Sequence, residues 1–280
     1  MLRRIMTTAI AAGVAAGLLL SVIHEFTTTP IILHAEEYEN AAPDHHAALP
    51  DPILRELMEN ALHKAAFFPK NLNDPSRSLS RNQSDTLYDD RSGQFHLVGG
   101  THEGGHGEEE AWGPADGWER TLFTTLANVL TGVGFAAILV ACFVFSNTEL
   151  SGRRGVIWGL AGFAAFTLAP ALGLPPEVPG SMAAELEGRQ LWWIGAVVAT
   201  AAGLWLMVFN DKRLLHVAGL LLLLIPHLIG APQPAELGGN APPELAGHFA
   251  AASIVVSALF WVILGWTSGT LWQRLATTEA

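Results

Sequence analysis

The pattern of apolar and polar positions is dominated by long apolar runs that are separated by short polar connections. Six runs approach or reach the roughly 20 residues that an α-helix needs to cross a bilayer. The predicted spans are Ile5 to Phe26, Thr121 to Phe145, Gly155 to Leu172, Leu191 to Phe209, Leu214 to Gly230 and Gly247 to Leu271. Because the fifth run is short, five spans with one re-entrant or interfacial segment stay open. The pattern predicts an all-α fold, a polytopic helical membrane bundle with about six transmembrane helices.

Lysine and arginine are unevenly distributed among the short connections. On one side lie Arg3, Arg4, Arg153, Arg154, Lys212, Arg213 and Arg274, and the short connections on the other side contain only Arg189. By the positive-inside rule, this predicts a multi-pass protein of the bacterial inner (plasma) membrane with both termini in the cytoplasm. The first apolar run is longer than a typical signal-peptide core, which favours a retained helix. The predicted domains are a first span (1–26), a periplasmic loop (27–120), a five-helix bundle (121–272) and a cytoplasmic tail (273–280).

The predicted periplasmic loop carries most of the negative charge of the chain, with 17 acidic and 7 basic residues between positions 27 and 120. Apolar residues at helical spacing predict a short amphipathic helix near 52–67. The polar, turn-rich residues that follow are typical of a linker, so we expect the loop to be partly disordered.

Composition narrows the classes of partner. Half of the residues are hydrophobic, only 15% are charged, and the formal net charge is −11. These values favour membrane lipid as the surroundings and cations as partners, and they argue against nucleic acid, whose phosphates need clustered Lys and Arg. The single cysteine, Cys142, allows neither an intramolecular disulfide nor a thiolate zinc cluster. Any bound metal would therefore be held by His and carboxylate side chains.

One stretch of the loop, His102-Glu103-Gly-Gly-His106, matches the H-E-x-x-H pattern of zinc metalloproteases. That pattern works only on a helix, where both His reach one metal. Glycines fill and flank this stretch, and each one costs a helix about 1 kcal/mol relative to Ala. We therefore expect a metal-collecting loop, and no enzyme. The chain has no P-loop and no dinucleotide-binding motif, which favours a protein without an organic cofactor.

Candidate metal ligands occur in the loop and at the outer ends of the spans. The candidates are His24, Glu25, His34, Glu36, Glu37, His96, His102, His106, His227 and His248. The candidate path-lining or structural residues are Asn128, Pro170, Arg189, Gln190 and Pro226. Polar groups from five spans at one depth predict an outer vestibule that narrows inward, although each residue alone is also compatible with an ordinary interfacial position. The two prolines either expose carbonyl oxygens or only kink their helices.

Small residues recur at close-packing spacing within the spans. The GxxxG pairs are Gly13 with Gly17, Gly155 with Gly159, and Gly265 with Gly269. Such pairs let two helix backbones approach closely in lipid, so we expect them at helix–helix contacts.

Several phrases in order resemble the CbtA family of predicted cobalt transporter subunits. They are "PIILHAEEYE", "EEAWGPADGWERTLFTTLANVLTGVGFA", "GRRGVIWGLAGFAAFTLAPALGLPPEVPG", "RQLWW" and "PHLIGAPQP". The resemblance implies an inner-membrane protein, cobalt as the transported ion and a small single-span partner, CbtB, with a His-rich tail. Residues 51–93 look like an insertion relative to that pattern.

Two hypotheses about function follow. The first is a permease subunit for divalent metal, with cobalt favoured and nickel, zinc or iron as alternatives, because imidazole and carboxylate suit these ions. The second is a membrane-anchored metal-binding or assembly factor that passes metal to another protein without moving it across. Homo-oligomerisation stays open under both hypotheses.

Overall fold

A computed structural model describes residues 1–41, 114–115, 117–146, 149–235 and 238–279. The predicted amphipathic helix near 52–67 and the insertion lie outside these residues. The helices are α1 (Leu2–Phe26), α2 (Thr28–Ala41), α3 (Trp118–Ser146), α4 (Gly152–Ala171), α5 (Leu186–Val208), α6 (Arg213–Ile229) and α7 (Pro243–Glu279). The part of the chain that the structure describes contains no β-strand, only a single isolated bridge between Ser181 and Gly239. The predicted all-helical membrane bundle is confirmed.

Five helices, α1, α3, α4, α5 and α7, are long and apolar enough to cross a membrane. The predicted fifth span corresponds to α6, which is apolar but has only 17 residues. At 1.5 Å per residue it is about 26 Å long, a little less than the hydrocarbon core. Large apolar side chains are exposed along the helices, among them Leu130 (63%) and Leu228 (81%). This surface suits a lipid environment and identifies a multi-pass membrane protein.

Helix α2 occupies a segment that the sequence analysis assigns to the outer loop. The break from α1 is confined to Thr27, whose backbone leaves the helical region (φ −122°, ψ −73°) and whose N–H donates to the His24 carbonyl at 3.1 Å. Pro30 lies in the first turn of α2, where its missing N–H breaks no helical hydrogen bond. The chain therefore continues as a second helix, α2, directly after the first span.

The helices pack in pairs, and glycine lies at each close contact. Helix α1 packs against α3 and α7, α4 packs against α7, and α5 packs against α6. A Cβ on Gly17 would lie 2.6 Å from the Val129 Cα of α3, and one on Gly159 would lie 3.2 Å from the Gly265 Cα of α7. The predicted close packing at the three GxxxG pairs is confirmed, because each pair meets the backbone of a neighbouring helix. Gly203 of α5 approaches α6 in the same way.

The core lies where α1, α3 and α7 meet. Ala12, Val140 and Leu264 are completely buried there, and Trp261 is 2% exposed. At one end of this core, the Arg4 side chain donates to the Trp272 carbonyl from both Nε (3.0 Å) and Nη2 (2.6 Å). The start of α1 is thus fixed to the end of α7, so the two helices run antiparallel. The end of α1 consequently lies near the start of α7, where the polar residues are found.

Candidate functional site

A polar pocket of about 330 Å³ lies where the end of α1 meets α2, the start of α3 and the start of α7. Its polar lining residues are Ser21, His24, Glu25, Thr28, Thr29, Arg120, Thr121, Thr124, Thr125, Ser253 and Ser257. We call this cavity the α1–α3–α7 pocket. Hydroxyl groups are common in its wall, and they are accompanied by one imidazole, one carboxylate and one guanidinium.

A chain of hydrogen bonds crosses from α1 to α3 at the pocket. Asn128 Nδ2 donates to Ser21 Oγ at 3.1 Å, and Ser21 Oγ donates to the Gly17 carbonyl at 3.0 Å. The same Nδ2 lies 3.5 Å from Nδ1 of the half-buried His24. Gly17 permits this bridge because α1 and α3 are in backbone contact there. The imidazole is thus positioned by an amide on the neighbouring helix.

Glu25 and Glu36 are the pocket's two acidic neighbours, and they have different partners. Glu25 is exposed and accepts a hydrogen bond from Thr121 Oγ1 at 2.8 Å. Glu36 on α2 accepts two hydrogen bonds from the Arg120 guanidinium, one at 2.9 Å and a shorter second one. The hydrogen bond from Arg120 holds the pKa of the Glu36 carboxyl below its usual range. The Arg120 charge is thereby balanced, and Glu25 remains as a carboxylate open to solvent.

The pocket wall contains two side chains of the kinds that bind divalent cations, His24 and Glu25. Imidazole and carboxylate are ligands for divalent first-row metals, and hydroxyl oxygens can hydrogen-bond the waters of a hydrated ion. No group of three or more His, Cys, Asp or Glu that could hold a metal ion exists among the described residues. A structural metal site of the closed four-ligand kind is therefore absent from this part of the chain.

Three further candidate ligands lie on α2 and α7 with exposed side chains and do not line the pocket. His34 contacts the Tyr38 ring, with centroids 5.3 Å apart, and Glu37 follows it on α2. His248 lies in the first turns of α7, one residue before Phe249 of the pocket wall. The structure therefore places these residues around the pocket and not within it.

The remaining candidates of the predicted vestibule lie on the α5–α6 pair. The His227 ring packs against Trp192 of α5, with centroids 6.0 Å apart. Arg189 donates to Glu177 Oε2 at 3.0 Å, and Gln190 is exposed. The structure thus places Asn128 beside His24 and lines the pocket with His24 and Glu25. It leaves Arg189, Gln190 and His227 on a different helix pair.

The carbonyl oxygens of both prolines already accept hydrogen bonds. Pro226 O accepts from Trp192 Nε1 and from the Gly230 N–H, each at 3.1 Å. Pro170 O accepts from the N–H groups of Gly173 and Leu174, and a π-helical turn, Ala164–Leu168, precedes it in α4. The carbonyls that a proline deprives of an N–H partner are those four residues earlier, Phe166 and Leu222. Both alternatives for the two prolines therefore remain predictions.

The loop candidates His96, His102 and His106 lie outside the described residues. The hydroxyl groups of the pocket are not among the residues predicted from the sequence. Their signal is present in the spacing: Ser253 and Ser257 are four residues apart, and Thr121, Thr124, Thr125 and Asn128 recur at helical intervals. Each set falls on one face of its helix.

Comparison with known proteins assigns the chain to a family. The family pattern described as "Probable cobalt transporter subunit (CbtA)" matches residues 2–273, nearly the whole chain. Searches of curated proteins and of solved structures each find no match. The chain belongs to the CbtA family, which is described as a family of probable cobalt transporter subunits.

Proposed function

We propose that the chain is a subunit that moves a divalent cation, cobalt in the first place, into the cell, and that the α1–α3–α7 pocket is the outer entrance to its path. The single observation that carries this proposal is the meeting of His24, Glu25 and a wall of hydroxyl groups between three spans. Polar and ionisable groups at such a position are costly in a membrane protein and mark substrate paths.

The proposed chemistry is partial replacement of the ion's water shell. His24 would supply one nitrogen ligand, Glu25 one carboxylate, and the hydroxyls would hold the remaining waters. Metal binding at Nε2 requires that Nδ1 carry the proton and donate it, so the Asn128 amide would present its oxygen to His24 in the loaded state. A site with only two protein ligands binds an ion weakly enough to release it again, as transport requires.

The proposed orientation places both termini in the cytoplasm of a bacterium and the pocket on the periplasmic side of the inner membrane. Support comes from the clustering of short-loop Lys and Arg on the opposite side. With this orientation, an inside-negative potential contributes about 4 to 5 kcal/mol per 100 mV to the entry of a divalent cation. The energy source can therefore be the membrane potential together with the gradient of the ion.

The outer loop and the partner complete the proposal. His96, His102 and His106, with the acidic residues around them, would raise the local metal concentration at the pocket. The family description as a subunit supports a second protein, for which we propose a small single-span CbtB-like subunit. Nickel, zinc and iron remain alternative substrates, and no organic cofactor or nucleic acid enters the proposal.

The test is metal accumulation in cells that lack other cobalt uptake and express the chain with its partner. We expect the wild-type chain to raise cell-associated cobalt, and we expect His24→Ala and Glu25→Gln each to reduce the uptake rate about tenfold, equivalent to about 1.4 kcal/mol, because each change removes one proposed ligand. His248→Ala is the matched control, because its exposed imidazole lies outside the pocket wall. Measuring cobalt, nickel, zinc and iron in the same cells identifies the preferred ion.

The competing function, a membrane-anchored metal-binding or assembly factor, predicts another pattern. Replacing His96, His102 and His106 by Ala would then abolish activity, and His24→Ala would be tolerated. Equal cobalt contents in cells with and without the chain would refute the transport proposal directly.

A further inference from the structure

A second cavity, of about 490 Å³, lies between α3, α4 and α5 and is lined almost entirely by apolar side chains. Small residues of α4, Ala161, Gly162 and Ala165, leave the space open, and the Trp261 ring of α7 lies against Gly162. Ile157 and Val208, which also line it, are 63% and 70% exposed. The cavity therefore opens sideways, toward the surface that faces lipid.

One end of this cavity is aromatic and positively charged. Trp158 of α4 lies 5.7 Å from Phe209 and 6.3 Å from Trp205 of α5, measured between ring centroids. Arg154, one turn before Trp158, is the one charged residue in the described lining. The exposed side chain of Arg153 adjoins it, and Lys212 follows Phe209 by three residues, so further positive charge lies at the same end.

An apolar chamber that opens to lipid and ends at a cation matches the two parts of a phospholipid. Trp rings, which combine an apolar body with a polar N–H, favour the region between acyl chain and headgroup. Basic pockets between transmembrane helices attract anionic headgroups. A metal cation does not fit here, because the lining offers Arg154 and no carboxylate.

We propose that the cavity between α3, α4 and α5 binds an anionic phospholipid, with an acyl chain among Ile138, Ala165 and Ala201 and the phosphate paired with Arg154. The Arg154 guanidinium donates to the Glu149 carbonyl through Nη1, and its other N–H groups can reach a phosphate. This lipid site stands apart from the proposed transport function and does not depend on it.

The experiment uses the full chain purified in a nonionic detergent and phosphatidylglycerol with brominated acyl chains, which quench nearby tryptophans. Trp158, Trp205 and Trp261 line the cavity, so a bound chain should give saturable quenching. Phosphatidylcholine with the same brominated chains is the comparison. We expect phosphatidylglycerol to saturate at an about fivefold lower concentration, the effect of one basic side chain on an anionic lipid, and added salt to reduce this preference. Equal saturation by both lipids overturns the proposal without any variant.

Variants locate the two parts of the site. Arg154→Gln should reduce the preference for phosphatidylglycerol, whereas Arg3→Gln, the same change at an exposed residue of α1, should preserve it. Ala201→Phe, which fills the cavity, should remove the saturable quenching by both lipids. Glycerol 3-phosphate should not relieve the quenching, because it has no acyl chain.

The contrary outcomes are distinct. An unchanged preference in Arg154→Gln refutes the headgroup contact, and relief by glycerol 3-phosphate refutes the role of the acyl chain. If Ala201→Phe alters the oligomeric mass in light scattering while both lipids quench equally, a second copy of the chain occupies the cavity and the lipid proposal fails. None of these results bears on cobalt uptake, so the two proposals can fail separately.

Discussion

Asn128 provides the sharpest test of how the pocket positions its imidazole. Its Nδ2 lies 3.1 Å from Ser21 Oγ and 3.5 Å from His24 Nδ1, so Asn128→Leu removes both contacts while the side chain keeps its branched shape and its number of heavy atoms. A hydrogen bond between membrane helices contributes about 0.6 kcal/mol on average and up to about 1.7. Losing both contacts should therefore cost about 1 to 2 kcal/mol of stability, and losing the amide that orients the imidazole should weaken cobalt binding at the pocket about tenfold or more. Asn128→Asp adds a carboxylate beside His24 and should strengthen binding.

The assay is calorimetric cobalt titration of the purified chain, in a background where His96, His102 and His106 are Ala so that the loop does not contribute. Asn210→Leu is the matched control. Its Nδ2 donates to the Leu206 carbonyl at 3.2 Å, far along the chain from the pocket residues. Wild-type affinity in both Asn128 variants would refute the idea that this amide positions a metal-binding imidazole.

Three further predictions concern stability and helix contacts. Gly159→Leu should destabilise the α4–α7 contact by about 1 to 3 kcal/mol, because a Cβ at this position meets the backbone of α7, whereas Gly134→Leu should be tolerated, because a Cβ there has nothing within 4 Å. Thermal unfolding compares the two variants, and equal melting temperatures would contradict the close packing at Gly159. Glu36→Gln should cost about 1 kcal/mol or less. Because Arg120 depresses the pKa of Glu36, the ion pair stabilises the fold above the ordinary pKa of 4.5, and this stabilisation is lost as the pH falls through the lower pKa of the folded state. The melting temperature of Glu36→Gln should therefore fall less on acidification than that of the wild-type chain, and an equal fall in both would contradict a stabilising ion pair. Trp192→Phe removes the hydrogen bond to Pro226 O and should lower the free energy of unfolding by about 0.5 to 1.5 kcal/mol without altering cobalt binding at the pocket. An unaltered free energy of unfolding would mean that this hydrogen bond does not stabilise the fold.

The position of polar groups along each helix could be predicted from the sequence, but their neighbours could not. His24 and His227 both lie near the end of an apolar run, so their similar depth follows from counting residues. Which helices stand side by side depends on packing, and α1 packs against α3 and α7 while α6 packs against α5. The structure consequently places His24 and His227 in different helix groups, although the two residues have a similar predicted depth in the membrane.

The glycine pairs and helix α2 show likewise which features the sequence pattern predicts and which depend on how the helices pack. The GxxxG spacing of Gly155 and Gly159 predicts a close contact, but only the fold shows that their partners are Gly265 and Gly269. Helix α2 was missed because the threonines before Pro30 and the acidic residues from Glu36 to Glu39 resemble a polar loop, and the apolar run between them is only three residues long. The break at Thr27 is a single residue, too short a signal to separate a kink from the end of a helix.

Cobalt uptake into proteoliposomes that contain the purified chain and its partner subunit, under an inside-negative potential, tests whether the α1–α3–α7 pocket admits the ion. We expect saturable uptake by the wild-type chain, a loss of about tenfold in the rate for His24→Ala, and an unchanged rate for His248→Ala. Equal uptake by the wild-type chain and His24→Ala would contradict the assignment of the α1–α3–α7 pocket as the entrance for the ion.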